Sequence, residues 1–198
     1  MSKDIKIIDN FLPHDVFMKV KNYVFNEDFT WKYSFGITTS KSTNESGQFV
    51  NIIYGTSTGI ENLEDAQSIL YPIQFGLQNK YLIKPEGLIP LRCKLNLNPK
   101  ESTNSQLGEY HVDIAFSELC PQHKTMIYYL NTNNGYTLFK NPEKKVESIE
   151  NRIVIFDGDI EHVGYSCTDQ NIRCIVNLNF LKHSNAMNPH TNKFIKLK

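Results

Sequence analysis

The chain has 198 residues, with 21 Lys plus Arg against 21 Asp plus Glu. That length suits one domain able to bury a sizeable core without disulfides or a structural metal, and the charge balance excludes a net electrostatic draw toward nucleic acid or an anionic membrane. No apolar run approaches the ~20 residues of a helical membrane span and no signal peptide opens the chain, so a soluble, cytoplasmic protein of undetermined oligomeric state is expected.

The four cysteines, Cys93, Cys120, Cys167 and Cys174, form no C-x-x-C pair and no zinc-finger spacing. Reduced thiols are expected, with Cys167 and Cys174 able to face each other across a hairpin. A composition rich in Asn, Lys and Ile fits an AT-rich genome, such as that of a phage or marine bacterium, and carries no chemistry.

Residues 4–8 read as a short strand, after which Asn10 to Pro13 opens a helix with Pro at a tolerated first-turn position. Leu12, Val16, Phe17, Val20 and Val24 recur at helical spacing and give that helix one apolar face. Thr30 to Thr38 reads as extended and aromatic. The polar loop Ile37 to Gly47 and the loop Pro99 to Gly108 are placed to border a pocket, the first as a lid in one reading. A second helical region runs from Asn62 to Tyr81, with Pro72 starting a new segment. Residues 10–82 are thus the helical support.

From Pro90 onward the pattern changes to seven short β-type runs: Leu91 to Leu97, Gly108 to Ile114, Thr125 to Asn131, Tyr136 to Lys140, Arg152 to Phe156, Glu161 to Tyr165 and Ile172 to Leu181. Helices followed by many short strands predict a mainly β fold with flanking α-helices, an antiparallel sandwich or barrel with the N-terminal helices packed on one sheet. One domain, 1–198, is expected, with a β core over 88–181 and a polar tail over 182–198.

Alternation within two of these strands separates polar from apolar residues. Arg92, Lys94, Asn96 and Asn98 share a face against Cys93, Leu95 and Leu97, and Arg173, Asn177 and Asn179 share a face against Cys174, Val176, Leu178 and Phe180. Helices must bury against something, so the apolar faces are expected to meet them while the polar faces line a wet cavity.

His111-Val-Asp113 puts an imidazole and a carboxylate on one face of a strand, within reach of a single ion. Two His and one carboxylate leave open positions on a metal, the set that suits non-haem Fe(II) oxygenases. Alone the motif is weak, arising by chance in roughly a quarter of sequences of this composition. His162, in a strand-like run after the Asp157-Gly158-Asp159 turn, is the best third ligand; His14, His123, His183 and His190 read as surface residues. Arg173 follows eleven residues later, across a hairpin through Thr168 to Asn171, and a buried Arg needs an anion, which a dicarboxylate cosubstrate would supply with bidentate geometry. The competing reading pairs Arg173 with Asp159 or Glu161 at the surface.

Taken in order, His111-Val-Asp113, Ile127-Tyr-Tyr-Leu-Asn131, Gly135-Tyr-Thr-Leu-Phe139, Arg152-Ile-Val-Ile-Phe156, His162 and Arg173 resemble the prolyl-hydroxylase branch of the 2-oxoglutarate/Fe(II) oxygenases over about residues 88–181. Ile8-Asp-Asn-Phe-Leu-Pro13 is similar to the usual start of these domains. The resemblance implies a double-stranded β-helix (jelly roll) with His111, Asp113 and His162 as iron ligands and Arg173 on the distal carboxylate of 2-oxoglutarate. It also implies that Tyr129 assists that carboxylate, with Ile127 on the same face. Asn98 falls near a position that often holds a second tyrosine, and Gly135-Tyr136 replaces a Gly-Gly, which is expected to narrow the mouth. The implied activity is hydroxylation of a prolyl or other peptide side chain with O₂, releasing succinate and CO₂, with ascorbate as an accessory reductant. A free amino acid or small metabolite is the alternative substrate. A non-catalytic metal- or sugar-binding β-barrel, which has no use for Arg173 and Tyr129 in one pocket, and a zinc hydrolase, which wants a nearby general base, are the alternative classes.

Overall fold

In the computed structural model, which describes residues 4–36, 47–80, 87–114 and 122–182, two antiparallel sheets face each other. The larger runs β1 (Ile5–Ile8), β10 (Ile153–Asp157), β7 (His123–Tyr129), β12 (Ile172–Lys182), β5 (Leu88–Pro99), β3 (Gln48–Gly55) and β2 (Lys32–Ser34), with β4 (Gly59–Ile60) paired to β3. The smaller runs β6 (Gln106–His111), β11 (His162–Tyr165), β8 (Tyr136–Lys140) and β9 (Glu143–Glu147). All seven strands expected after Pro90 form, in a jelly-roll arrangement. The lid loop lies almost wholly outside the described residues, as do Cys120, His183, His190 and the tail beyond Lys182.

Three strands escape a pattern reading, for identifiable reasons. In β3 the pairing with β5 shifts between Ile52 and Tyr54, so the two-residue alternation that marks a strand is broken where it would be read. Ile53 is fully buried while its neighbour Ile52 is exposed. In β9 only Val146 is buried among charged neighbours, and β4 is two residues long.

The helices cover the outer face of the larger sheet. Helix α1 (His14–Val24) buries Phe17, Val20 and Val24. The second helical region begins at Asn62, whose side-chain oxygen accepts the Glu64 and Asp65 N–H groups, and runs through α2 (Leu63–Asp65), a π-helical turn (Ala66–Leu70) and α3 (Tyr71–Lys80). Pro72 has no N–H to return to the preceding turn, and the ladder widens just ahead of it rather than stopping. These helices close a core with Cys93, Leu95, Met126, Tyr128, Val176, Leu178 and Phe180. Phe11 and Phe17 both meet the Tyr128 ring edge-on, at 5.6 and 6.2 Å, contacts worth about 0.5–1.5 kcal/mol each beyond burial. A second core lies between the sheets, where Ile127, Tyr129, Phe156 and Ile175 meet Phe139 and Val146. It fills one part of the intersheet space and leaves the rest to polar side chains.

Asn151 ties the N-terminal segment to this scaffold. Its backbone sits in the left-handed region, φ 58°, which Asn tolerates better than most residues. Its side-chain oxygen accepts the Leu12 N–H at 2.9 Å and the Tyr128 hydroxyl at 2.7 Å, and its amide donates to the Leu12 carbonyl at 2.9 Å. Asn151→Ala strands all three partners in a buried setting and should cost on the order of 3 kcal/mol. Urea unfolding followed by circular dichroism measures this, and a loss under about 1 kcal/mol would show that the segment is held by its apolar contacts alone.

Candidate metal centre and anion pocket

His111 and His162 are direct partners in the β6–β11 pairing, which brings the two rings to 4.9 Å between centroids. Asp113 lies two residues beyond His111, just past the end of β6. His111 Nε2 is 3.9 Å from Asp113 Oδ1 and His162 Nε2 is 3.8 Å from Oδ2, and one donor atom from each of the three lies within 4.8 Å of the others. Both imidazoles are oriented alike. Nδ1 of His111 meets the Glu109 carbonyl at 2.8 Å and Nδ1 of His162 meets the Ile160 carbonyl at 3.2 Å. A carbonyl can only accept, so each Nδ1 carries the proton and each Nε2 keeps its lone pair for the shared centre.

Asp113 is held from the opposite sheet. Arg92 donates to Oδ1 at 3.0 Å, and the Asn177 and Asn179 amides donate to Oδ2 at 3.0 and 3.1 Å. Burial would raise the carboxyl pKa, but His162, Arg92, His111 and the Asn177 hydrogen bond outweigh it and hold it well below the usual range. Burial pulls His162 the other way, below its ordinary value, despite the nearby Asp113. A neutral His162 cannot also lend Asp113 a positive charge, so with neutral rings that role falls to Arg92, the asparagines and any bound cation. Two neutral imidazoles and one ionised carboxylate on one side of a point fit a divalent metal with open positions opposite.

Arg173 lies in the same cavity and is only 2 % exposed. Its Nε donates to Ser148 Oγ and its Nη2 to Thr137 Oγ1, both at 3.1 Å. Among the described residues no carboxylate lies within ion-pair distance of it, and burial depresses its pKa. Glu161, a rival partner in the sequence reading, pairs with Lys140 instead. Thr137 Oγ1 also accepts the Tyr129 hydroxyl, at 2.8 Å. With both acceptor positions taken, the Thr137 hydroxyl must direct its own proton elsewhere, and Thr137 lines the cavity. A guanidinium and an O–H therefore converge on a site suited to a carboxylate. Gly135 permits this, since a Cβ there would come within 2.8 Å of Arg173 Cδ.

The cavity has a volume of about 180 Å³ and is lined by His111, Asp113, His162, Arg173, Asn98 and Ile127. Tyr129 is fully buried one layer behind, its ring centroid 5.7 Å from the guanidinium carbon, and reaches the cavity through Thr137. Three expectations are corrected. His162 and Arg173 are not joined by a hairpin: β11 pairs with β6 and β8, β12 with β5 and β7, and the connection crosses between sheets so that the two side chains face one space. His123 is no surface residue. It starts β7, 1 % exposed, with its ring against Gly158, where an added Cβ would collide with Nδ1. Tyr136 does not narrow the mouth; it stacks on Tyr165 at 4.3 Å and is absent from the cavity wall. Cys167 and Cys174 are free buried thiols. The motif reading missed Thr137, Ser148 and the Asp113 partners Arg92, Asn177 and Asn179, although strand alternation already placed the last three on the inward face.

No protein-family model matches the sequence, and no curated relative matches it. Solved structures do match in fold. A 2OG-Fe(II) oxygenase family protein from Burkholderia pseudomallei aligns over 92% of this chain and 87% of its own, with 12% identity and a TM-score of 0.67. A prolyl hydroxylase from Trichoplax adhaerens, solved in complex with a hypoxia-inducible-factor peptide fragment, aligns over 90% and 83%, with 17% identity and a TM-score of 0.60. The non-heme alpha-ketoglutarate-dependent epimerase SnoN of nogalamycin biosynthesis aligns over 91% and 79%, with 9% identity and a TM-score of 0.62. The chain therefore has the fold of the 2-oxoglutarate/Fe(II) oxygenases, prolyl hydroxylases among them. Among the described residues no helix is long and apolar enough to cross a membrane.

The hydrogen bonds to Asp113 yield a direct test. Replacing both Asn177 and Asn179 with Ala frees Oδ2 to turn away from the imidazoles, and divalent-metal affinity should fall by about 10-fold or more. Anaerobic Co(II) titration, read in the visible ligand-field bands, measures it. Wild-type affinity in the double variant would mean that Arg92 and chain geometry alone orient the carboxylate.

Proposed function

We propose that the chain is a non-haem Fe(II)- and 2-oxoglutarate-dependent dioxygenase, with His111, Asp113 and His162 holding iron and Arg173 with Thr137 holding the distal carboxylate of the cosubstrate. The observation that carries this reading is Arg173, a buried cation without an anionic partner among the described residues, sharing a cavity with a His–Asp–His donor set. A metal-binding barrel without cosubstrate explains the donor set but not the buried guanidinium, because an uncompensated buried charge is costly to keep. A zinc hydrolase also has no use for it.

When bound, iron and 2-oxoglutarate would supply the oxidising chemistry by which a substrate C–H, O₂ and 2-oxoglutarate give the hydroxylated substrate, succinate and CO₂. The chain's own contribution is placement. The two Nδ1–carbonyl bonds keep both Nε2 lone pairs on the centre, and Arg92, Asn177 and Asn179 keep Asp113 ionised and turned toward it. Tyr129 fixes the Thr137 hydroxyl, and Asn98, opposite Arg173 in the β5–β12 register, and Ile127 complete the cosubstrate wall. Ascorbate would act only as an accessory reductant.

The substrate reading is a prolyl or other peptide side chain, which the peptide-bound prolyl hydroxylase neighbour supports by analogy of fold. A free amino acid or small metabolite is the second reading, and the epimerase neighbour favours it in the same manner.

Anaerobic protein loaded with Fe(II) should develop a metal-to-ligand charge-transfer band when 2-oxoglutarate is added, and Asp113→Ala should abolish it. A full-strength band in that variant would remove Asp113 from the ligand set. Arg173→Ala should bind iron yet lose roughly 30-fold or more in 2-oxoglutarate affinity, Arg173→Lys should fall in between, and Thr137→Val should lose about 10-fold. Unchanged cosubstrate affinity in folded Arg173→Ala would place the carboxylate elsewhere.

A further inference from the structure

One cation in the cavity is left over once the metal and cosubstrate are assigned. Lys94 lines the cavity from β5, beside Arg92 and directly across from Asn177, the residue that holds the Asp113 carboxylate. It stands four residues along the strand from Asn98, which faces Arg173, so it belongs to the metal end and not the distal-carboxylate end. Arg92 is committed to Asp113. Lys94 makes no hydrogen bond or ion pair with any described residue. Two positions along the same face, Asn96 carries a buried side-chain oxygen with no hydrogen-bond partner.

Charge in the cavity sharpens the point. Arg92, Lys94 and Arg173 face a single carboxylate, Asp113, an excess of two positive charges when the imidazoles are neutral. A divalent metal and a dianionic cosubstrate cancel each other and leave that excess untouched. Burial, with Arg92 alongside, also lowers the Lys94 pKa, a penalty that an adjacent anion removes.

Resting on the oxygenase reading above, we infer that the primary substrate carries an acidic side chain, its carboxylate bound by Lys94 close to the metal, with a neighbouring N–H that satisfies the Asn96 oxygen. An acidic amino acid presents this pair of groups, and so does an Asp or Glu residue within a peptide. A prolyl ring with uncharged neighbours does not. Lys94 and Asn96 are thus assigned as specificity-determining residues.

The test uses matched probes that differ in charge alone: free L-aspartate and L-glutamate against L-asparagine and L-glutamine, and capped proline-containing peptides carrying Asp or Glu against the same peptides with Asn or Gln. Affinity for each is measured by calorimetry on the anaerobic Fe(II)/2-oxoglutarate-loaded protein, and turnover is followed as a +16 Da product. Acidic members of one set should bind at least about 10-fold more tightly than their amides, and the set that responds separates a free amino acid from a peptide substrate. In Lys94→Met that preference should vanish while the charge-transfer band and 2-oxoglutarate affinity persist, and Lys94→Arg should restore it. The inference is overturned if acids and amides bind alike, if no acidic member binds, if the preference survives in Lys94→Met, or if that variant loses 2-oxoglutarate affinity, which would make Lys94 part of the cosubstrate site. Absence of the band in the wild type overturns the oxygenase reading and this inference with it, whereas a band without acid preference overturns this inference alone.

Discussion

The two-residue alternation of β12 governs everything inward of the helices. Cys174, Val176, Leu178 and Phe180 are committed to the helix-facing core, so Arg173, Ile175 and Asn177 must point between the sheets, and Asn179 with them. A slip of one residue would put the guanidinium against the helices and four apolar side chains into the cavity, losing both core and site together. Burial of one face thereby sets the register of the other. Strand β5 obeys the same constraint beside it, with Cys93 and Leu95 outward and Arg92, Lys94, Asn96 and Asn98 inward.

Within the cavity, Asp113 and Arg173 are kept apart. Asp113 receives three donors, from Arg92, Asn177 and Asn179, while Arg173 receives two hydroxyls and no carboxylate among the described residues. A fold selected only for stability would gain by giving the buried Arg173 an anionic partner or by replacing it with packed hydrocarbon. The separation leaves one end suited to a cation and the other to an anion, with Ile127 and Ile175 on the wall they share.

Much of this was legible in the residues themselves, for a physical reason. His111, Asp113, His162 and Arg173 were readable because strand alternation and motif order place them, and both are short-range properties of the chain. Strand β3 was not, because the irregularity between Ile52 and Tyr54 erases alternation at the point where it would be counted. His162 and Arg173 face each other through a crossing between sheets and not a hairpin, and a short polar segment looks the same in sequence whether it turns back within a sheet or crosses to the other. His123 reads as a surface residue because its burial depends on a glycine 35 positions away, Gly158, and nothing local records that contact. Thr137 and Ser148 carry no motif at all and gain meaning only when the Arg173 side chain arrives beside them.

Asp113 follows directly on a strand of the smaller sheet, yet its carboxylate is gripped by β5 and β12 of the larger one. The chain thus throws a stitch across the cavity side of the sandwich, beyond the intersheet core. Any widening of the gap between the layers would pull this carboxylate away from the imidazoles of His111 and His162, which move with the other layer. Affinity for a cation at the centre would then gauge how far the sandwich gapes, and a cation held there would act as a rivet closing it.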